Sequence, residues 1–319
     1  MKSKPHSYLW LVGASTMAQD YAQVLKSLKF NFIVIGRGEK SALTFESKTG
    51  ISVITGGLEN ALQSSPPPKI AIVAVGVTQL KKTTIKLLDA GTKRILLEKP
   101  GGINLKEIEE IHIEAQAKKA RIFLGYNRRF YESTKHARKI ITSDGGATSC
   151  HFEFTEWSNK IRKIEGKDDI KSAWLLANSS HVIDLAFHLC GSPKDWQSWK
   201  SGTLDWHPTA SRFSGAGKTD LGVIFSYFAD WESPGRWGVE ILTKKNRLIL
   251  RPMEKLQITY LDSVEIMPVK LNYEIDMKFK PGLFKQTEAF LNEDYENFCT
   301  LKEHVEKTKI YTKIAGYQN

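Results

Sequence analysis

A lysine between an acid and a proline follows a short apolar run near residue 100. Glu98-Lys99-Pro100 comes directly after residues 94–97, Arg-Ile-Leu-Leu. Such a run is typical of a strand buried on both faces of a parallel sheet, whose ligands bind at the carboxyl ends of the strands. Lys99 is therefore predicted to face a cleft, where its ammonium could stabilise charge on a reacting oxygen. The alternative is a solvated lysine in a strand–helix loop.

Three side chains that could bind a metal or exchange protons lie close together further along the chain. His181, Asp184 and His188 fall in the apolar segment 177–189, which is soon followed by a glycine. Their spacing of three and four residues predicts one face of a short helix. Three interpretations fit this face: a structural helix, a metal site, or an acid/base pair in a cleft.

The cysteines give a metal no support. Cys150, Cys190 and Cys299 are far apart in sequence and form no Cys-x-x-Cys pair, so we predict neither a metal site nor a disulfide framework. Isolated thiols suit a reducing compartment. No signal peptide and no membrane-length apolar run is recognisable, so we predict a cytoplasmic protein.

The N-terminus has the pattern of a dinucleotide-binding turn. The apolar run 8–12 leads into Gly13 and then into residues with helical apolar spacing. Gly13 and Ala18 fit the first and third small positions of the fingerprint, while Ser15 replaces the second glycine and could offer a hydroxyl to a phosphate oxygen. The alternative is a strand–helix turn without a ligand. The predicted cofactor contacts in this turn are Gly13, Ala14, Ser15, Thr16 and Met17.

The second strand predicts which dinucleotide is preferred. Residues 32–35 form an apolar run that ends at Gly36-Arg37-Gly38, where an NAD-selective site usually offers an acid to the adenosine ribose. Arg37 offers a cation suited to a 2'-phosphate instead. We therefore expect NADP to be preferred, with NAD possible; the alternative is an exposed basic turn.

The same strand–helix rhythm continues to about residue 125. The run 69–75 ends at Gly76 before a helical stretch at 80–90, and its loop is predicted to cover the cofactor through Val75, Gly76 and Val77. A helix at 105–118 and a strand at 122–124 follow the Lys99 strand. We predict an α/β, Rossmann-type dinucleotide-binding domain over residues 1–125.

The rhythm changes after residue 148. Residues 150–156 and 220–227 alternate apolar and polar types, and three further runs occur at 238–242, 247–251 and 257–261. These predict an α+β domain over residues 126–319 with a large open, mostly antiparallel sheet. Residues 215–219 predict a hairpin turn. A sheet face without helices would be a surface for a homodimer or higher homo-oligomer.

Composition limits the partners. The chain has 319 residues, 41% hydrophobic and 25% charged, as in ordinary globular proteins, with a net charge of +11. The positive charge favours anionic ligands such as a dinucleotide or an acidic or nucleotide-bearing substrate. Lysines and arginines are dispersed and no DNA-binding spacing occurs, so we expect a small-molecule substrate and no nucleic acid or membrane partner.

These motifs, in this order, resemble the Gfo/Idh/MocA oxidoreductases, the family of glucose-fructose oxidoreductase and inositol dehydrogenase. The dinucleotide turn, Glu98-Lys99-Pro100 and the Asp184-x-x-x-His188 helix are each similar to a motif of that family. The other similar segments are residues 125–130 (Gly-Tyr-Asn-Arg-Arg-Phe), 237–241 and 281–284. The resemblance spans nearly the whole chain.

The resemblance implies a dehydrogenase or reductase that moves hydride between NAD(P) and a carbon of a sugar, polyol, keto-sugar or nucleotide-sugar. Lys99 would hydrogen-bond the reacting oxygen, His188 would exchange the proton, and Asp184 would orient the histidine or a sugar hydroxyl. Further cofactor contacts are expected from Glu98, Lys99 and Asn127. Further substrate contacts are expected from Asn127, Arg128, Trp174 and His181, although Trp174 could equally be a core residue.

The chain also departs from the family pattern. Residues 178–180, Asn-Ser-Ser, replace a glycine pair that often precedes the Asp-x-x-x-His helix, and residues 77–80 lack the common Pro-Asn. Both departures concern substrate identity. The alternative function is a non-catalytic sugar or dinucleotide sensor on the same fold, against which the joint presence of Lys99, Asp184 and His188 argues.

Overall fold

Strands and helices alternate along the first third of the chain, and strands dominate the middle. The computed structural model describes residues 9–318, so Tyr8 of the predicted first strand lies outside the described residues. The strands are β1 (Leu9–Val12), β2 (Phe32–Ile35), β3 (Val53–Ile54), β4 (Ile70–Val73), β5 (Arg94–Leu97), β6 (Arg121–Leu124), β7 (Ser149–Glu153), β8 (Pro193–Ser201), β9 (Arg212–Thr219), β10 (Ile224–Asp230), β11 (Gly238–Leu242), β12 (Asn246–Leu250), β13 (Gln257–Tyr260), β14 (Met267–Pro268) and β15 (Cys299–Thr300).

The helices follow the same order. They are α1 (Thr16–Ser27), α2 (Glu39–Thr49), α3 (Gly57–Ser64), α4 (Leu80–Asp89), α5 (Leu105–Ala117), α6 (Glu132–Ser143), α7 (Ser158–Arg162), α8 (Asp168–Ser172), α9 (Ser180–Cys190), α10 (Glu274–Lys278), α11 (Leu283–Leu291) and α12 (Leu301–Ala315). Short 3₁₀ turns occupy Val77–Gln79 and Asn127–Phe130, and a π-helix occupies Leu175–Ser179. No helix within residues 9–318 is long and apolar enough to cross a membrane.

The described residues form two compact units. The first contains residues 9–126 and 276–306, and the second contains residues 127–275 and 307–318. The division at residues 125 and 126 inferred from the sequence stays a prediction. It differs from the structural units because it leaves the segment 276–306 in the second domain.

The first unit is a Rossmann-type α/β unit. Its sheet has the order β15-β6-β5-β4-β1-β2-β3, with β15 antiparallel to β6 and all other neighbours parallel. β1, β4 and β5 are buried throughout, as expected for strands covered by helices on both faces. The strand order reverses between β1 and β4: β2 and β3 are added on one side of β1, and β4, β5 and β6 are added on the other. Ligands of such sheets bind at this switch point.

The second unit is built on an eight-stranded sheet. Its order is β14-β13-β12-β11-β7-β10-β9-β8, and only β7 and β10 pair in parallel. α9 packs on β7 and β11. On this sheet Trp199, Ile224 and Phe228 are exposed by 60%, 57% and 44%. The predicted fold class, an α/β unit followed by a mostly antiparallel α+β unit, is confirmed.

The predicted hairpin turn at residues 215–219 is wrong, because these residues belong to β9. A side-chain carbon added at Gly215 would lie 2.4 Å from the Tyr227 ring, and one added at Gly217 would lie 2.3 Å from Cβ of Trp196. Both glycines therefore make room for aromatic residues of the neighbouring strands β10 and β8.

Candidate functional site

The first candidate site is a cavity at the carboxyl ends of β1, β2 and β4, with a volume of about 460 Å³. Six of the predicted cofactor residues line it: Gly13, Ala14, Ser15, Arg37, Val75 and Gly76. The residues of the lining that the sequence interpretation missed include Ser41, Gly56, Gly57, Gln79, Lys82, Thr83 and Lys86. Most of these come from the Gly56-Gly57 turn after β3 and from α4; the glycine pair is a turn signal that could have found the first, whereas the polar residues of α4 carry no such signal. Thr16, Met17 and Val77 are not among the lining residues.

Gly13 allows the turn after β1 to approach the end of β4 closely. Its φ is +131°, and a side-chain carbon there would lie 2.3 Å from the Ala74 carbonyl oxygen at the end of β4. Only glycine combines that backbone conformation with so close an approach. The turn therefore places Ser15, the N-cap of α1, at the cavity.

Ser15 performs a structural task in the same turn. Its hydroxyl donates to the Ala74 carbonyl at 3.0 Å, and its oxygen accepts from the Ala18 N–H at 3.4 Å as the N-cap of α1. The hydroxyl hydrogen is therefore used within the protein. A phosphate at this turn would be held by backbone N–H groups while that bond is made.

Arg37 is an exposed cation at the edge of the cavity, and no ion pair involves it among residues 9–318. The one acid in the lining, Glu59, forms an ion pair with Lys86 and lies 4.0 Å from Lys82. The cavity wall is consequently basic where the adenosine end of a dinucleotide binds in this fold.

Lys99 and its neighbours are anchored to the core of the first unit. Glu98 is buried and accepts from the Tyr21 hydroxyl at 2.7 Å, so it points into the interior and not into the cavity. Burial raises the pKa of Glu98, against the effects of the Tyr21 hydrogen bond and the charges of Lys99 and Lys280. The Lys99–Pro100 peptide is cis, and the Pro100 carbonyl accepts from His304 at 2.7 Å. Half-buried Lys99 thus stands on a loop fixed on both sides.

The second candidate site is the α9 face of the second unit, where Asp184 lies in a buried ion cluster. Arg129 donates to its two oxygens at 2.8 and 2.6 Å, and Lys307 donates to Oδ1 at 2.7 Å. All three side chains are at most 3% exposed. Burial disfavours the charged carboxylate, but Arg129 and Lys307 outweigh it and hold the pKa of Asp184 below its usual range. Sequence reasoning missed Arg129 and Lys307.

His188 lies one turn beyond Asp184 and is mostly buried. Burial lowers its pKa well below the usual value, and the positive charges of Arg129, Lys307 and Arg138 add to this effect, against the opposing charge of Asp184. The imidazole is therefore neutral at neutral pH. Its buried Nε2 has no hydrogen-bond partner within the described part of the chain.

Two of the remaining predicted substrate residues, Arg128 and His181, contact the same tryptophan. Trp237 contacts the Arg128 guanidinium, at 4.8 Å from the ring centroid, and the His181 ring, at 6.3 Å. Trp174 packs edge-on against Trp206 at 6.2 Å, so the aromatic-core alternative holds for part of its ring. Asn127, buried in the 3₁₀ turn after residue 126, is in the same unit.

Glu156 is a buried residue that sequence reasoning missed. It accepts from Asn178 Nδ2 at 2.9 Å, from Ser179 Oγ at 2.7 Å and from Arg236 at 3.0 Å. Burial raises its pKa, and these partners oppose the shift. The departure from the family pattern at residues 178–180 thus supplies two of the donors to Glu156, from a π-helix of the kind often found at functional sites.

The part of the chain that lines the cavity matches a known protein family. Residues 9–126 match the family described as GFO_IDH_MocA, an oxidoreductase family with an NAD-binding Rossmann fold. Over these residues the chain is similar to the NAD-binding domain of the Gfo/Idh/MocA oxidoreductases. The recognition made from the sequence motifs is confirmed.

Curated relatives match this chain over part of their length. Trans-1,2-dihydrobenzene-1,2-diol dehydrogenase of Mus musculus is 28% identical over 135 residues, which are 41% of this chain and 40% of that protein. The Sus scrofa protein of the same name is 27% identical over 138 residues, 42% of this chain and 41% of its own. The matched part is thus about two fifths of these relatives.

Solved structures match the whole fold. Levoglucosan dehydrogenase in complex with NADH and L-sorbose has a TM-score of 0.79 at 14% identity, covering 97% of this chain and 95% of that one. UDP-N-acetylglucosamine 3-dehydrogenase from Acidithiobacillus ferrooxidans has a TM-score of 0.74 at 15% identity, covering 98% and 97%. At this identity the likeness concerns the fold of both units.

Proposed function

We propose that the protein is an NAD(P)-dependent dehydrogenase or reductase. Its substrate would be a sugar, polyol, keto-sugar or nucleotide-sugar that reacts at a carbon bearing a hydroxyl or keto group. The cavity formed by the Gly13 turn and the N-terminus of α1 carries this proposal, because it fits a dinucleotide pyrophosphate in a domain of an oxidoreductase family. A bound dinucleotide would supply the nicotinamide that accepts or donates hydride.

Lys99 would contact the reacting oxygen. It follows β5, at the sheet edge where ligands of parallel sheets bind, and its loop is fixed by Glu98 and Pro100. An ammonium held there stabilises an alkoxide more than it stabilises a neutral hydroxyl or carbonyl. Its contribution therefore increases as the reaction approaches the transition state.

His188 would exchange the substrate proton. In the direction of oxidation, the hydroxyl proton would move to the free lone pair of neutral His188 as the C–H hydride leaves. In reduction, the same nitrogen would return it. The lowered pKa of His188 supports the base form at neutral pH.

Asp184 takes a positioning role in this proposal. Its two oxygens already accept from Arg129 and Lys307, so the predicted contact with a sugar hydroxyl would compete with two cations. Its charge would offset theirs beside His188 and keep α9 in place. Asn127, Arg128, Trp174 and His181 complete the proposed substrate contacts.

NADP would be preferred to NAD. Arg37 lines the cavity at the end of β2, where an NAD-selective site has an acid, and Glu59 is engaged by Lys86. The preference would come from a charge-assisted contact with the 2'-phosphate.

The exposed face of the second unit would join two copies of the chain. Trp199 on β8 and Ile224 and Phe228 on β10 are exposed on one sheet, with β9 between the two strands, and such apolar exposure is typical of an interface. Light scattering at micromolar concentration should show a homodimer or larger assembly, and a monomer would contradict this proposal. A cytoplasmic location is part of the same proposal.

Turnover tests the proposed function. The purified protein is mixed with NADP or NAD and a panel of sugars, polyols and nucleotide-sugars, and the nicotinamide absorbance is followed. The proposal expects turnover with at least one of them. Tight dinucleotide binding without turnover of any panel member would favour the sensor alternative.

A further inference from the structure

Three hydrogen-bond donors are buried in the second unit without an acceptor. Within residues 9–318, no protein acceptor contacts Arg128 Nε, Trp174 Nε1 or Trp237 Nε1. These groups can only donate, and buried donors in native proteins almost always have a partner. The missing acceptors must therefore come from outside the chain.

Arg128 adds an uncompensated charge to this set. Its guanidinium lies 4.8 Å from the Trp237 ring centroid and 6.0 Å from that of Tyr131. No carboxylate of the described residues lies within ion-pair distance, 4.0 Å, of it. Burial lowers the pKa of Arg128, which the more distant charges of Glu254 and Glu156 oppose without contact.

The neighbouring acids are already engaged. Glu156 accepts from Arg236 at 3.0 Å as well as from Ser179, and Glu254 accepts from the Tyr131 hydroxyl at 3.4 Å. The Arg236 guanidinium also lies over Trp237, at 4.3 Å. The indole is therefore in contact with two guanidinium groups, of which only that of Arg236 has a contacting counter-ion.

The chemistry of this site selects a carboxylate. A guanidinium carries one charge and presents two parallel donors that match the two oxygens of a carboxylate. A phosphate dianion would bring a second charge for which Arg236, paired with Glu156, is not available.

We propose that Arg128, flanked by Trp237 and Tyr131, binds a carboxylate of the substrate, and that the substrate is a sugar acid such as a hexuronate. This assignment rests on the proposed dehydrogenase function, since it places the ligand in the unit that holds His188. His181 links the two regions, because it lies on α9 with His188 and its ring faces Trp237 at 6.3 Å.

Equilibrium binding tests the assignment without requiring turnover. Calorimetric titration of the full chain, saturated with NADP, compares D-glucuronate and D-galacturonate with D-glucose, D-galactose and D-glucose 6-phosphate. At least one hexuronate should bind about tenfold or more tightly than its matched hexose, the scale of one charge-assisted contact. Arg128→Met should abolish this difference. Arg128→Lys, which keeps the charge but loses the fork, should retain part of it.

A matched control and the melting temperature exclude trivial causes. Arg162→Gln removes an exposed arginine that pairs with Asp205 at 3.1 Å in the same unit, and it should leave every affinity unchanged. Arg128→Met should not lower the melting temperature, because it removes a charge without a contacting counter-ion. Glucuronate should raise the melting temperature only of proteins that keep a cation at residue 128.

Several outcomes would overturn the proposal. They are equal affinity for acids and neutral sugars, no measurable hexuronate binding, a preference that survives Arg128→Met, or tighter binding of the sugar phosphate. Hexuronate preference without turnover would leave this site standing while the dehydrogenase proposal fails. Turnover of neutral sugars without any preference for acids would do the opposite.

Discussion

The cofactor cavity of the first unit and the α9 face of the second are built by different means. The cavity depends on backbone: the Gly13 turn, the N-terminus of α1 and the ends of parallel strands. The α9 face depends on buried side-chain charges from distant segments, since Arg129 and Lys307 are 55 and 123 residues from Asp184. A site made by the backbone can be recognised from a few adjacent residues of the sequence. A site made by side chains from distant segments forms only in the tertiary fold.

Electrostatics separates the two regions as well. In the cavity, a cation such as Arg37 is exposed and accessible to an anionic ligand from solution. On the α9 face, the cations are buried and a carboxylate of the chain meets them in contact. Substitutions in the first region should therefore change ligand affinity, and those in the second should change stability or chemistry.

The largest effect is expected at His188. His188→Ala should lower turnover by about 10² to 10⁴, the range of general acid/base catalysis, while dinucleotide affinity stays unchanged. Steady-state kinetics on an established substrate measures it. Because the pKa of His188 is lowered, the oxidation rate of the unmodified protein should fall only at pH below about 6.5, and the variant should lack this limb. His136→Ala, in α6 of the same unit, is the control and should match the unmodified protein.

Asp184→Asn should produce the largest loss of stability. It removes the carboxylate that accepts from buried Arg129 and Lys307, and breaking a buried ion pair on one side typically costs about 3–5 kcal/mol. Chemical denaturation measures the free energy of unfolding. Glu153→Gln is the matched comparison, because Glu153 is also buried but its partner, Arg251, is 42% exposed and stays solvated. Equal losses in the two variants would contradict the difference drawn between buried and solvated cations.

The stability contributed by Asp184 should depend on pH in a defined direction. Its pKa is lower in the folded protein than in the unfolded chain, so the stabilisation is complete above the unfolded value of about 4. It is lost as pH falls below that value towards the folded pKa. The difference in unfolding free energy between the unmodified protein and Asp184→Asn should therefore shrink on acidification from about pH 5. A difference that grows on acidification would contradict this assignment.

A smaller effect, confined to affinity, is expected at Arg37. Arg37→Ala should weaken NADP binding by about 10- to 100-fold, the scale of a charge-assisted contact, and barely change NAD binding. Titration with each dinucleotide measures this. Lys48→Ala removes an exposed cation from α2, the helix that follows Arg37, and Lys48 does not line the cavity, so the change should alter neither affinity. Equal weakening of both dinucleotides by Arg37→Ala would assign Arg37 to another part of the cofactor.

The fold was largely predictable from the sequence, and the exceptions have a physical cause. Parallel strands such as β4 and β5 are largely apolar runs in the sequence. Gly13, directly after β1, marks the turn at the switch point between β1 and β4. β9 escaped prediction because glycine is usually read as a turn signal, while Gly215 and Gly217 serve here to admit Tyr227 and Trp196. That reason appears only when the neighbouring strands are placed beside them.

The candidate sites were predictable to different depths. The spacing of Asp184 and His188 indicates a shared helix face, and the structure places them on α9. Nothing in the sequence near Glu156 indicates that it is buried beneath Asn178 and Ser179. The contacts of Arg128 were equally hidden, because the partner ring of Trp237 lies 109 residues further along the chain.

Lys99→Met tests the central claim most directly, because it separates cofactor binding from chemistry within one unit. Turnover should fall by roughly 10² or more while NADP affinity stays within about severalfold, since the lost contact matters mainly as charge develops on the substrate oxygen. Lys93→Met, just before the other end of β5, is the matched control; the Lys93 ammonium donates to the Lys118 carbonyl at 2.7 Å. It should leave both quantities unchanged. A Lys99→Met protein that turns over an established substrate at the unmodified rate would contradict the account.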